Sequence, residues 1–292
     1  MWGVLAAVLS SGIGGTAVVA TRALSGMIDP ISLGALRFGL GFLFLLPVAA
    51  LQKEAWPAKM DWPRVAGLGV LFFAVFPFFF NASLHFTTAA RGALALSTLP
   101  LLTMVVGAGL GVEAITARKT LGVLIAMAGV ALALLSGLAN APEGAWQGDL
   151  LMVCAALCMA LYTIWSRPLI LRSGPIRFTA VAMGVGAFCL VAISAADGGL
   201  SRTSALAPGQ WLACCYLGIV GSAFIFFLWA FAITRTTPTL VAISVAVNPI
   251  MASLAGQVFL DEPLRWNIIA GLITVCTGIG IATTAARMPA RT

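Results

Sequence analysis

The chain has 292 residues, of which 61% are apolar and only 9% are charged, and its mean hydropathy is +1.07. A soluble domain carries about 25% charged residues, so this chain has too few polar side chains to cover a water-facing surface, and a soluble protein is excluded. The long apolar runs lack the alternation of a barrel strand, which favours helices as the structures that cross the lipid. The fold class predicted is an all-α polytopic membrane protein.

Charged or Pro/Gly-rich stretches divide the chain into ten predicted membrane-spanning helices joined by short loops, with no room for a soluble domain. A count of nine is a minor alternative, because the gap at 85–91 is brief. The ten predicted spans are 2–24, 31–51, 65–84, 92–111, 119–138, 148–170, 177–196, 210–232, 240–259 and 266–286.

The first two predicted spans carry three polar side chains of interest. Polar groups in lipid are costly, which makes them candidates for a transport pathway. Ser11 and Thr16 lie within reach of the centre of the first span, although helix packing also uses such residues. Arg37 is the single cation inside a predicted span, about two turns after Pro30. We expect it to pack, with snorkelling outward or binding of a substrate carboxylate as alternatives.

The third and fourth predicted spans carry the next candidates. Phe78, Asn81 and His85 follow one another at i, i+3 and i+7, which places them on one face of a helix. An amide offers two donors and an acceptor, so Asn81 is a candidate substrate contact. His85 is a candidate gate or proton sensor, or simply a residue facing the headgroups. Ser97 lies one turn before Pro100 and is a further candidate.

The second half of the chain supplies the remaining candidate substrate contacts. Tyr162 and Trp165 are expected to share a face of the sixth span, and Trp229 lies in the eighth, although a tryptophan at a membrane interface is equally typical. In the ninth span Ser244 and Asn248 are one turn apart. The proline after Asn248 frees a backbone carbonyl one turn earlier, for Asn248 or for a ligand.

The basic residues predict the orientation of the chain. If the N-terminus is cytoplasmic, eleven Lys and Arg fall on the cytoplasmic side and four on the outer side, with Arg37 inside a span. Both termini are therefore predicted to be cytoplasmic, and this asymmetry explains the net charge of +7 better than binding of nucleic acid or of anionic lipid does. The cytoplasmic set is Lys53, Lys59, Arg64, Arg118, Lys119, Arg167, Arg172, Arg177, Arg235, Arg287 and Arg291, and the outer set is Arg22, Arg91, Arg202 and Arg265.

Residues of the first half recur in the second at nearly constant offsets. The offset is 149 for Phe78 with Phe227, Pro100 with Pro249, Gly107 with Gly256, Glu113 with Glu262, Gly122 with Gly271 and Gly129 with Gly278, and it is 145 for Gly3 with Gly148, Gly41 with Gly186 and the neighbouring positions. Each half, 1–139 and 146–287, holds five predicted spans. Five is odd, so the second half enters the membrane upside down, as in the inverted repeats of many transporters.

The repeat sets the interpretation of the paired glutamates. Glu113 ends the fourth predicted span and Glu262 the ninth, on opposite faces of the membrane. They are expected to lie roughly 30 Å apart and therefore cannot act on one ligand. Each lies in a short turn before the next helix, where a carboxylate accepts free N–H groups. A structural capping role is predicted for both.

The segments "GGTAVVATRAL" and "LRFGLGFLFLLP", together with the paired P…G…E…G…G pattern, resemble the drug/metabolite transporter superfamily and its EamA-type members. The resemblance covers essentially the whole chain. It differs in one place, because Ile13 precedes Gly14 where these proteins often carry a tryptophan. The resemblance implies ten helices around a central cavity and export of amino acids or other small metabolites across the bacterial inner membrane.

The predicted function is export of small neutral or zwitterionic metabolites by alternating access. No Asp or Glu lies in the middle of a predicted span, which favours a facilitator or weakly coupled exporter over a carboxylate-driven antiporter. The alternatives are a multidrug, nucleoside-like or sugar-like transporter, a scaffold, or an enzyme built on His85 with Ser83 or Arg91.

An enzyme is not expected, because the chain lacks Walker A, HExxH and GxSxG sequences. Six cysteines without a CxxC pair and one histidine predict no metal and no cofactor. The expected partners are a small-molecule substrate and the lipid bilayer, with no nucleic acid. One copy of the chain is expected to suffice for transport, and the oligomeric state stays open.

Overall fold

The computed structural model describes residues 2–24, 27–53, 55–83, 86–87, 89–138, 143–260 and 266–285. Within these ranges nine helices are long and apolar enough to cross a membrane, and Pro238–Ala252 is a shorter apolar helix. This confirms an all-α polytopic membrane protein with a tenth, shorter helix where the ninth span was predicted.

The ten spans have bounds close to those predicted. They are Trp2–Leu24, Pro30–Leu51, Trp62–Ser83, Ala89–Gly109, Ala117–Leu138, Ala145–Ser173, Pro175–Ala196, Pro208–Arg235, Asn248–Leu260 preceded by Pro238–Ser244, and Trp266–Ala285. The sixth span is 29 residues long and extends beyond the predicted 148–170 at both ends. Short helices at Lys59–Asp61, Gly199–Arg202 and Thr203–Ala205 lie in the connections.

Four spans depart from regular α-helix. The third contains the π-helical turn Leu71–Val75 and the eighth the π-helical turn Ile219–Phe224. The fourth is interrupted by a turn at 97–98 and the ninth by the 3₁₀ turn Val245–Val247. The interruptions of the fourth and ninth spans each precede a proline. Proline lacks a backbone N–H and therefore cannot donate the next helical hydrogen bond. The interruptions recur at the predicted offset, near the same depth of each half.

Neighbouring spans pack in pairs. The second span packs on the seventh, the fifth on the tenth, and the first on the eighth and ninth. At the fifth–tenth contact, a Cβ atom placed on Gly122 would lie 2.6 Å from the carbonyl oxygen of Gly278, and one on Gly271 would lie 2.7 Å from that of Gly129. Exchanging the halves converts the first contact into the second. These contacts support the inverted repeat. The repeat and its two five-helix units stay predictions.

We name the two ends of the bundle by the first span. The proximal end is the one at which the first span begins, and the distal end is the one at which it ends, at Leu24. A Cβ atom placed on Gly3 would lie 3.0 Å from Cβ of Arg235 at the end of the eighth span, which fixes that residue at the proximal end.

Candidate functional site

The first and ninth spans meet in a polar seam, defined here as Ser11, Gly14, Ser244 and Asn248. The Ser244 hydroxyl donates to the carbonyl oxygen of Val241 at 2.7 Å, so its oxygen accepts from the Ser11 hydroxyl, 3.1 Å away. One turn on, a Cβ atom placed on Gly14 would lie 2.6 Å from Nδ2 of Asn248. Any larger residue at position 14 would require the Asn248 amide to shift. The structure thus brings Ser11, Ser244 and Asn248 together, whereas the sequence had paired only Ser244 with Asn248.

The break in the ninth span lies within this seam. The 3₁₀ turn Val245–Val247 separates Ser244 from Asn248, directly before Pro249. At transporter substrate sites, the ends of discontinuous helices have backbone N–H and C=O groups without helical partners, and these groups can bind ligands. In the fourth span, Ser97 stands at the corresponding break, but its hydroxyl donates to the carbonyl oxygen of Ala93 at 2.9 Å. Ser97 is therefore satisfied within its own span.

Two half-buried amides lie in the spans without a protein partner. Among the described residues, neither the Asn81 nor the Asn248 side chain makes a hydrogen bond. Asn267, by contrast, donates from Nδ2 to the carbonyl oxygen of Ala133 at 2.8 Å. Burying an amide without a hydrogen bond is unfavourable, so Asn81 and Asn248 are the amides whose donors and acceptors are available to water or a ligand.

Thr16 and Arg37 face the eighth span. The Thr16 hydroxyl donates to the carbonyl oxygen of Ile13 at 2.7 Å, so it accepts from the hydroxyl of Tyr216. Arg37 donates from Nε to the hydroxyl of Ser222 at 2.9 Å and from Nη2 to the carbonyl oxygen of Gly221 at 2.7 Å. Both partners of Arg37 belong to the π-helical turn. Arg37 therefore joins the second and eighth spans, which fits the packing role expected of it.

The three aromatic candidates occupy different environments. Tyr162 is 2% exposed and stacks on Phe72, with ring centroids 4.3 Å apart. Trp165 is 45% exposed, so it is far less enclosed by neighbouring spans than Tyr162 is. Trp229 is 3% exposed, and its Nε1 has no acceptor among the described residues. Of the three, Trp229 has a buried donor that a ligand could use.

Some predicted residues lie outside the described part of the chain, among them Arg265, Arg287 and Arg291 of the orientation prediction. His85 and Glu262 both do, so the roles proposed for them stay predictions. Sequence reasoning missed Tyr216, Ser222 and Thr239. All three emerge only from the fold, because their partners are more than 120 residues away. No group of His, Cys, Asp or Glu side chains in the described ranges has the arrangement of a metal site.

A buried ionic network lies at the proximal end. Glu113 is 5% exposed and its Oε2 accepts from Nζ of Lys119, 9% exposed, at 2.9 Å. Oε1 accepts from the backbone N–H of Thr239 at 2.8 Å and from the Thr239 hydroxyl. We call Glu113, Lys119 and Thr239 the proximal network. The glutamate does accept a helix N–H group, but from the ninth span rather than from the next helix as predicted.

A second ion pair lies at the distal end. Asp149 accepts from the guanidinium of Arg91 and, at 2.9 Å, from the hydroxyl of Thr87. Both ionic side chains are 28% exposed. We call the ion pair of Arg91 and Asp149, together with its contact to Thr87, the distal pair. It joins the fourth span and the loop before it to the start of the sixth, as the proximal network joins the fourth and fifth spans to the ninth.

Comparison with known proteins identifies the family of this fold. The EamA-like transporter family matches residues 1–135 and 146–284, which together make up nearly the whole chain. The chain belongs to the EamA-like transporter family. The two matched ranges follow the two halves inferred from the repeat.

Several relatives are similar over most of the chain. An "Uncharacterized transporter" of Archaeoglobus fulgidus is 25% identical over 91% of this chain and 93% of its own length. The "WAT1-related protein At3g02690, chloroplastic" of Arabidopsis thaliana is 26% identical over 85% of this chain and 61% of its own length. One crystal structure superposes with a TM-score of 0.78 at 23% identity, covering 98% of this chain and 99% of that one.

The family and these relatives support a general assignment. This EamA-like chain is an integral, multi-pass membrane transporter, consistent with the drug/metabolite transporter superfamily. They point to transport rather than to catalysis.

Proposed function

We propose that this EamA-like transporter exports small neutral or zwitterionic metabolites, most of all amino acids, by alternating access across the bacterial inner membrane. The observation that carries the proposal is the pair of half-buried amides, Asn81 and Asn248, without a protein partner among the described residues. An amide offers both donors and an acceptor, which suits a ligand carrying an ammonium and a carboxylate group.

The seam supports a ligand position at the break of the ninth span. Asn248 follows a 3₁₀ turn and lies against Gly14, so a polar side chain and an irregular backbone meet at one place inside an apolar bundle. Broken helices near the centre of transporters commonly hold substrate. Trp229, with its unpaired buried Nε1, offers a further donor.

The proximal network gives alternating access a physical gate. Glu113 and Lys119 follow the fourth span and Thr239 begins the ninth, so opening between these spans at the proximal end must break the bonds from Thr239 to Glu113. Opening at the distal end must break the distal pair instead. We propose that the two sets of contacts open in turn, and that both termini are cytoplasmic, in keeping with eleven basic residues on that side against four on the other.

The test is efflux of a panel of radiolabelled amino acids from proteoliposomes that contain the full chain. We expect efflux above that of empty liposomes for at least one of them. Removing the partner of a buried polar group costs about 1–3 kcal/mol, or about five-fold or more in an equilibrium constant. Asn81→Ala and Asn248→Ala are therefore each expected to lower efflux about five-fold or more per folded protein.

Asn267→Ala is the matched control, because it removes a buried amide whose bond to Ala133 is already made inside the protein. It is expected to lower the melting temperature while leaving efflux per folded protein unchanged. Unchanged efflux in both Asn81→Ala and Asn248→Ala would remove these residues from the site. Absence of efflux for every amino acid would reject them as the cargo.

A further inference from the structure

A groove with a volume of about 460 Å³ lies at the outside of the bundle, near the proximal end. Its floor is the sixth span, and residues just after the fourth span form one wall. All of its lining side chains are apolar except one, Arg167. The lining residues are Leu110, Val112, Ile164, Trp165, Arg167, Pro168 and Leu171.

The groove opens toward lipid rather than toward the interior. Large exposed apolar residues recur along one face of the sixth span at intervals of two helical turns, namely Leu150, Leu157, Trp165 and Leu171. The opposite face of the same helix carries fully buried residues such as Ala156 and Thr163. An exposed apolar stripe on a membrane-spanning helix faces acyl chains, so the groove belongs to the lipid-facing surface.

The guanidinium of Arg167 is held in place but lacks an anion. Its Nε donates to the carbonyl oxygen of Ile233 in the eighth span at 3.1 Å. Among the described residues it makes no ion pair and no other hydrogen bond. Arg172, one turn further along the same helix, differs because its Nη1 lies 3.3 Å from Oδ2 of Asp61. Arg167 thus keeps four N–H donors without a protein acceptor.

The depth of Arg167 matches that of a lipid headgroup. The sixth span has 29 residues and is about 43 Å long at 1.5 Å per residue, whereas the hydrocarbon layer is about 30 Å thick. A centred helix therefore extends roughly 6 Å beyond the hydrocarbon at each end. Arg167 lies six residues before the last residue, Ser173, or about 9 Å from the helix end. This places it within a few ångströms of the boundary.

We propose that the groove binds one anionic phospholipid, with its phosphate on the guanidinium of Arg167 and an acyl chain along Leu110, Ile164 and Leu171. The charge complementarity argues for this occupant, because the groove is apolar except for one unpaired cation. A guanidinium matches phosphate geometry through paired N–H donors. The proposal concerns lipid recognition and does not depend on what the protein transports.

The test is native mass spectrometry of the detergent-solubilised full chain, titrated with phosphatidylglycerol or phosphatidylcholine. A basic side chain near the membrane surface contributes about 1 kcal/mol to anionic lipid binding, or about five-fold. We expect phosphatidylglycerol to bind at least about five-fold more tightly than phosphatidylcholine, and Arg167→Gln to abolish this preference. Arg172→Gln is the control, since its arginine is already paired with Asp61, and it is expected to keep the preference.

Leu171→Trp provides a second variant that leaves Arg167 in place. Leu171 is 59% exposed, so the larger ring fills the groove without entering the core, and it is expected to weaken phosphatidylglycerol binding. Equal affinities for the two lipids in the wild type would overturn the proposal, as would a preference that survives in both Arg167→Gln and Leu171→Trp. Displacement of phosphatidylglycerol by millimolar inorganic phosphate would instead assign the site to a soluble anion, and it would overturn the proposal of a lipid site.

Discussion

The two ends of the bundle are joined by ionic contacts of very different character. The proximal network is almost fully enclosed, with Glu113 5% and Lys119 9% exposed, whereas both ionic partners of the distal pair are 28% exposed. A buried carboxylate whose partner is removed leaves an uncompensated charge. Water reaches a partly exposed ion pair and screens it, so such a pair contributes less than a fully buried one whose partner is lost. The proximal end is therefore the one whose separation carries the larger energetic cost.

The difference comes from side-chain chemistry, not from backbone packing. Gly3 packs on Arg235 at the proximal end, and its repeat partner Gly148 packs on Ser83 and Thr87 at the distal end. The repeat aligns Arg91 with Leu240 and Asp149 with Val4, so the ion pair of the distal end has no counterpart in these two residues. An inverted duplication thus supplies similar contacts to both ends, while separate substitutions set how firmly each end is held.

The largest effect is expected from Glu113→Ala. It leaves Lys119 buried without its partner and removes the acceptor of Thr239. Breaking a buried ion pair costs about 3–5 kcal/mol, and we expect a loss of stability of this order, measured as a fall in melting temperature in detergent. Glu113→Gln keeps an acceptor for Thr239 and should lie between the wild type and Glu113→Ala. A Glu113→Ala protein as stable as the wild type would remove the contrast between the ends.

Gly148→Ala probes the packing that the two ends share. A Cβ atom there would lie 2.6 Å from the carbonyl oxygen of Ser83, a backbone atom that cannot move independently, whereas one on Gly3 would lie 3.0 Å from Cβ of Arg235. Overpacking costs about 1–3 kcal/mol. We expect Gly148→Ala to lower the melting temperature more than Gly3→Ala does. The reverse order would show that the distal contact is the looser one.

Asp29→Ala tests an exposed acid at the distal end that acts as a helix cap. The carboxylate of Asp29 accepts from the backbone N–H of Ser32 at 2.9 Å, and losing such a cap costs about 1 kcal/mol. Partial burial acts to raise the pKa of Asp29, but hydrogen bonds from Ser32 and Ile31 outweigh it and hold the pKa below its usual value.

Because the pKa of Asp29 is lower in the folded chain, the stabilisation is complete above the unfolded value of about 3.9 and is lost as the pH falls through the folded value. The difference in melting temperature between wild type and Asp29→Ala is therefore expected to shrink at acid pH. A difference that is constant from pH 7 to pH 3 would mean that the carboxylate charge is not involved.

The smallest effect is expected from Asp149→Asn. Exposed ion pairs contribute about 0.2–1 kcal/mol and weaken as salt rises. We expect a small fall in melting temperature that disappears between low salt and about 1 M salt, at which the Debye length is about 3 Å. A large, salt-independent fall would place the distal pair beside the proximal network in strength and break the comparison.

The sequence predicted the spans well because apolar length is a local property. Pro249 also indicated a freed backbone carbonyl one turn earlier, where the structure has the 3₁₀ turn of the ninth span. The π-helical turn Leu71–Val75 is likewise followed two residues later by a proline, Pro77, whereas no proline lies in or shortly after the turn Ile219–Phe224. In the eighth span a tertiary contact accompanies the turn, because Arg37 donates to the carbonyl oxygen of Gly221.

The candidate site was only partly predictable for the same reason. The spacing of Ser244 and Asn248 placed both on one seam, because i and i+4 residues share a helix face. The rule says nothing about burial, however, and neighbouring spans enclose the ring of Tyr162 while they leave that of Trp165 exposed. The partner of Glu113 lies 126 residues away at Thr239. Local capping rules could anticipate the bond but not the helix that supplies it.

The most direct test of the central proposal, transport by alternating access, is a counterflow measurement. Proteoliposomes containing the full chain are loaded with an unlabelled amino acid, and entry of a trace of the same labelled amino acid is followed. A carrier that opens its two ends in turn predicts transient accumulation of label above its equilibrium level. Label that only equilibrates would contradict alternating access, and entry equal to that of empty liposomes for every amino acid would reject amino acids as cargo.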